Sequence, residues 1–117
     1  MLEQSVELSI NASSRKRPYR IEVLGQGSKV SVFCDCPAGA LGRFCKHKAA
    51  VVSGDPALLA EADEEQAEWE ASQALLAKSA LPGKMMELRD AESHPEKDKQ
   101  AIKAMKMRIS RLMQDGA

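Results

Sequence analysis

The chain has 117 residues, 44% of them apolar, with one Trp, one Tyr, two Phe and 17 basic side chains balanced by 17 acidic ones. That length allows one modest domain with an appendage, and no apolar run approaches the roughly 18 residues of a membrane span. Three cysteines are an odd number, which argues against a disulfide framework and for a soluble protein of the reducing cytoplasm.

Charge neutrality hides a division. Residues 1–54 carry eight Lys/Arg against four Asp/Glu, residues 55–80 one against seven, and residues 81–117 eight against six. Such a basic–acidic–basic order points to a nucleic-acid face or to pairing between unlike segments. The opening MLEQSVELSI has Glu3, no basic leader and alternating polarity, so it reads as a strand and not as a signal peptide.

Three runs alternate apolar and polar residues and predict strands: SVELSI through Val6, Leu8 and Ile10, YRIEVL through Tyr19, Ile21 and Val23, and KVSVFC through Val30, Val32 and Cys34. GQGS between the second and third runs predicts a hairpin. Between the first two lies RKRPYR, where Arg15, Lys16, Arg17 and Arg20 are candidate phosphate contacts and Tyr19 a candidate stacking ring. A solvated loop is the plain alternative for that stretch.

Pro37 ends the third strand because it cannot donate to a ladder. AGALG then predicts a loop, and CKHKAAVVSG a short helix stopped by Gly54. All three cysteines and one of the two histidines fall around this loop, as Cys34-x-Cys36, eight residues, then Cys45-x-His47. In an extended segment residues i and i+2 point to one side, so Cys34 and Cys36 present both thiolates to one ion. A glycine-bearing loop brings back Cys45 and His47 at a helix start. The product is a closed Cys3His tetrahedron, which suits a single structural Zn²⁺. Three thiolates and a neutral imidazole leave the centre at −1, to be offset by Arg43, Lys46, Lys48 and the positive end of the helix. A Cys–His nucleophile is the rival, but two further thiols crowd it and no third orienting group is evident.

Together with the preceding Tyr19-x-Ile21-x-Val23 strand and the following FCKHKAAVV, these ligands resemble the SWIM zinc finger over residues 18–53. Cys34, Cys36, Cys45 and His47 occupy its four ligand positions, while Lys48 stands where such fingers often carry Ile or Val. The resemblance implies a ββα-like finger that binds DNA or a protein partner and is not itself an enzyme. Its relatives, among them Mutator-like transposases and Swi/Snf-type ATPases, usually carry a catalytic domain as well. A chain this short has no room for one, so the expectation is a stand-alone adaptor. It would recognise a nucleic-acid-processing protein, DNA or RNA, through Arg15, Lys16, Arg17, Tyr19, Arg20, Arg43, Lys46 and Lys48. A phage or mobile-element inhibitor of a host protein is the alternative of another class.

After residue 54 the sequence predicts a helical tail, residues 55–117. Asp55-Pro56 is a start signal for an acidic helix over about 56–80, broken by LPG at 81–83. A weaker helix follows over about 84–92, and Ser93 with Glu96 suggests a capping box for a last helix over about 95–113. The acidic helix has an imperfect apolar stripe through Leu59, Trp69 and Leu76, interrupted by Gln66 and Gln73, and the last helix a cleaner one through Ile102, Met105, Ile109 and Leu112. Pairing of these two helices, within the chain or across a homodimer, is the expectation. The fold class is thus α+β: a small antiparallel sheet and short helix around one zinc in residues 1–54, then the helical tail.

Overall fold

A computed structural model describes residues 3–11, 17–27 and 29–117. Three strands, β1 (Glu3–Ile10), β2 (Tyr19–Gln26) and β3 (Lys29–Cys34), form an antiparallel sheet in the order β1-β2-β3. The alternation in the sequence sets which face is buried. Val6 lies opposite Val23, Leu8 opposite Ile21, Val23 opposite Val32 and Ile21 opposite Cys34, so one face is apolar throughout. Gln26 pairs with Lys29 across the hairpin, where Gly27 takes a φ of 61° that glycine adopts without strain.

The loop expected after Cys36 is a single helical turn, α1 (Pro37–Ala40), followed by α2 (Lys46–Val52). Every residue of α2 except Lys46 is buried, because the helix lies between β3 on one side and later elements on the other. Gly54, at φ 79°, ends this segment as its sequence predicts.

Asp55 caps as expected, accepting a hydrogen bond from the Ala57 amide at 3.0 Å, but what it starts is only a 3-10 turn, Pro56–Leu58. The acidic helix expected from 56 begins at Gln66 instead, as α3 (Gln66–Leu76). The reason is competition from the sheet edge. The Asn11 amide donates to the Leu58 carbonyl at 2.8 Å and the Ala60 amide to the Ser9 carbonyl at 2.9 Å, with Leu59 bridged to Ile10. Glu65 closes the edge, its carboxylate accepting the Ser9 amide at 2.9 Å. These long-range bonds outcompete a local helix in a segment whose acidic residues bring no buried face.

The LPG break is the start of a helix: α4 (Leu81–Ser93) carries Pro82 in its first turn, where proline is tolerated, and buries Leu81, Met85 and Leu88. Ser93 does not form the expected capping box. Its hydroxyl donates to the Asp90 carbonyl inside α4, and the last helix, α5 (Lys99–Asp115), is capped by Asp98, which accepts from Gln100 and Ala101 at 3.0 and 3.1 Å.

The expected pairing of the acidic helix with the last helix is replaced by another arrangement. α5 packs on α4 and β3, whereas α3 packs on β1 and β2. Leu75 of α3 sits so close to Gly25 of β2 that a Cβ there would lie 2.8 Å from its Cδ2. Leu76 is buried, Trp69 half-buried, and Leu59 buried in its bridge to Ile10 and not on α3. Gln73, which interrupts the stripe, donates from its side chain to the Val51 carbonyl at the end of α2 (2.9 Å). On α5, Ile109 and Met113 are buried and Ile102, Met105 and Leu112 half-buried against the same core. Beyond α5, Ala117 exchanges backbone hydrogen bonds of 2.9 and 3.0 Å with Val30, adding a short pairing at the edge of β3. Sheet and helices therefore share one core. Among the described residues no helix is long and apolar enough to cross a membrane.

Candidate metal centre

The end of β3 and the start of α2 bring four side chains together. Cys34 closes β3 on its buried face, Cys36 is the N-cap of α1, and Cys45 and His47 flank the first residue of α2. The Sγ atoms and the imidazole nitrogen lie within 4.8 Å of one another. Cys36 Sγ is 3.3 Å from Cys45 Sγ, Cys45 Sγ is 3.4 Å from His47 Nδ1, and Cys34 Sγ is 3.8 Å from the same nitrogen. With metal–sulfur bonds of about 2.3 Å and metal–nitrogen bonds of about 2.0–2.1 Å, ligands of a tetrahedral ion stand roughly 3.5–3.8 Å apart. The spacing and the donor set fit a four-coordinate ion, and all four residues are buried.

Local geometry explains why these residues converge. The Gly39 amide donates to Cys36 Sγ at 3.2 Å, turning the chain back over Cys34. No side chain fits at Gly39: a Cβ there would lie 2.6 Å from the Cys34 carbonyl oxygen and 2.8 Å from its Cβ. Gly42, at φ 74°, completes the return to Cys45. Gly39→Ala is therefore expected to push Cys34 out of position and to weaken metal affinity about 10–100-fold, the usual range for outer-shell changes. A chelator competition titration measures this, and an unchanged affinity would show that the turn does not position the ligands.

The electrostatics separate the thiols. Cys45 is pulled down to about 4, first by the hydrogen bond from Cys34 and then by the backbone amides of Lys48 and His47 at the start of α2. Cys34, the donor in that pair and buried, is pushed up. The hydrogen bonds around Cys45 favour its charged form, the form in which a thiol binds a metal.

The residues around the ligands need two corrections. Tyr19, a candidate stacking ring as well as a member of the alternating strand, is buried, with its ring centroid 5.4 Å from that of His47. It faces inward because it occupies a buried position of the alternating β2 and pairs with Ile10. Lys48, expected at a binding surface, is 2% exposed, since α2 is enclosed on nearly all sides. It is the single Lys or Arg buried among the described residues, three positions along the helix from Cys45. Its positive charge suits a centre that carries net negative charge when three thiolates bind a divalent ion.

The remaining expected contacts are dispersed. Arg15 and Lys16 lie outside the described residues. Arg17 and Arg20 are exposed, and Arg20 is engaged by Glu7 at 3.1 Å. Lys46 is exposed at the start of α2. Arg43 is exposed on the ligand loop and lines a groove against α5, separate from the grooves that Arg20 lines beside β1 and β3. The sequence pattern located the ligands, the glycine loop between them and the alternation that holds Tyr19. It did not locate the close approach of Gly39 to Cys34 or the contact of Tyr19 with the His47 ring, which depend on the fold of the turn and on the packing of α2 against the sheet. Comparison of the chain with family models, with curated proteins and with solved structures yields no match in any of the three.

Proposed function

We propose that the chain is a zinc-organised binding module, an adaptor of the SWIM type that recognises nucleic acid or a protein acting on nucleic acid. The observation that carries this reading is the closed, buried Cys3His set supplied wholly by one short segment. Four protein ligands leave no open position for a substrate or water, as in structural and not catalytic zinc sites. Thiolates with one imidazole at tetrahedral spacing favour zinc over the harder cations that take oxygen ligands. The centre ties β3, α1 and α2 together, and the loop it closes carries Arg43 and Lys46 to the surface. Tests of the reading are metal content and metal-dependent binding. Purified protein is expected to hold one zinc per chain, and a partner protein or nucleic acid captured by the loaded form is expected to be lost after chelation. A preparation without zinc whose three thiols all react freely would end the reading.

A further inference from the structure

The ligand loop and the last helix enclose a groove of about 550 Å³. One wall is Arg43 and Phe44, just before Cys45, and the other is Lys103, Lys106, Met107 and Arg111 of α5. Four cations line it and no carboxylate does. Arg43, Lys103 and Arg111 are exposed and form no ion pair among the described residues, while Lys106 reaches Glu92 at 3.7 Å and also lies over the Phe44 ring, 5.4 Å from its centroid. The α5 residues recur at three- and four-residue intervals, so they share one face, away from the buried Ile109 and Met113. Met107 is 66% exposed, an unusual position for a large apolar side chain amid cations. The loop wall is held close to the helix: a Cβ on Gly42 would lie 3.1 Å from Gln114 Oε1.

We propose that this groove binds a single strand of nucleic acid. The cations take the phosphates, and Met107 with the Phe44 side chain offers apolar surface to unstacked bases. A row of positive charges, three of the four without an ion pair among the described residues, beside apolar side chains in a concave channel is what a flexible strand requires, because its bases have faces to bury and its backbone carries one charge per nucleotide. An acidic peptide would meet the charges but leave the apolar surface without a planar partner. A duplex keeps its bases stacked inside. The proposal deepens the binding-module reading and rests on it, since the centre that holds Cys36 and Cys45 also shapes the loop wall.

The test is fluorescence anisotropy with the full, zinc-loaded chain and a labelled oligodeoxythymidylate of about 15 nucleotides, within the site sizes of single-strand binders. The double variant Lys103→Gln/Arg111→Gln removes two exposed, unpaired cations and is expected to keep its zinc and its melting temperature. Binding should weaken about tenfold at low salt, and the slope of log affinity against log salt should become shallower by about 1.4, at about 0.7 per phosphate contact. Lys78→Gln/Arg89→Gln, two exposed cations outside the groove, should leave both quantities unchanged. The proposal is overturned if the groove variant binds as the wild type does, if the control variant loses as much, or if the folded, loaded protein binds no oligonucleotide. It is also overturned if oligoglutamate or a duplex binds as tightly with the same sensitivity to the groove variant. These failures leave the zinc-module reading standing on its metal content. A chain that binds through the groove yet holds no zinc would end that reading and sustain the groove.

Discussion

Replacing Cys36 with serine is expected to abolish metal binding and to unfold the sheet together with the helices packed on it. Serine can still cap α1, so the turn that begins at Pro37 keeps its local start, and the loss reports on the ligand itself. Structural zinc in small fingers is worth about 10–16 kcal/mol of folding free energy, against a typical domain stability of about 5–15 kcal/mol. The sequence alone suggests that the helical tail would partly survive such a loss. The shared core says otherwise: Ile109 and Met113 of α5 belong to the same buried cluster as Val32, Cys34 and Val51. The backbone of Ala117 is also hydrogen-bonded to Val30. Circular dichroism of the variant and of chelated wild type should therefore show loss of strand and helix signal in one transition. A variant that keeps one zinc per chain and its melting temperature would refute the centre.

Ile109→Asp is expected to detach α5 and destabilise the whole fold. Ile109 is 3% exposed, on a helix face applied to α4 and β3. An aspartate there would replace a member of the shared apolar cluster, and an uncompensated buried charge costs about 3–5 kcal/mol. In a marginally stable chain that is a large share of the total. Ile109→Ala, which leaves a cavity and no charge, should cost about 2–4 kcal/mol and lower the melting temperature by about 10 °C. The pair separates burial from charge: similar losses in both variants would mean that packing alone matters at this position. Unchanged helicity and unchanged Trp69 fluorescence in the aspartate variant would show that the α5 stripe is not part of the core.

Short-range patterns in the sequence specify the sheet and the metal centre. The three strands and the buried face of each follow from two-residue alternation, since a register slip would turn every apolar side chain to water. The metal centre was legible for a similar reason. Its four ligands lie within fourteen residues, Cys34 to His47, and ligand chemistry restricts which side chains can share an ion. The end of α2 at Gly54 was also written locally, as a left-handed position that favours glycine.

The tail was harder because its local signals have competitors elsewhere in the molecule. Asp55-Pro56 is a sound helix start, yet the backbone groups of residues 58–60 are taken by the open edge of β1. The LPG triplet looks like a break, although Leu81, Met85 and Leu88 at helical spacing give a buried face that proline in a first turn does not disturb. Ser93 is a cap residue by type, but α4 runs on through it, and the cap of α5 falls to Asp98 instead. By itself, then, the sequence determined the sheet, its buried face and the ligand set, because each is a short-range pattern with few alternatives. Only the tertiary structure decided which helix covers which strand, why Lys48 is buried, and that Arg43 meets Lys103 and Arg111 across a groove. Those outcomes depend on contacts between segments dozens of residues apart, where competing partners differ by little in local preference and the shared core selects among them.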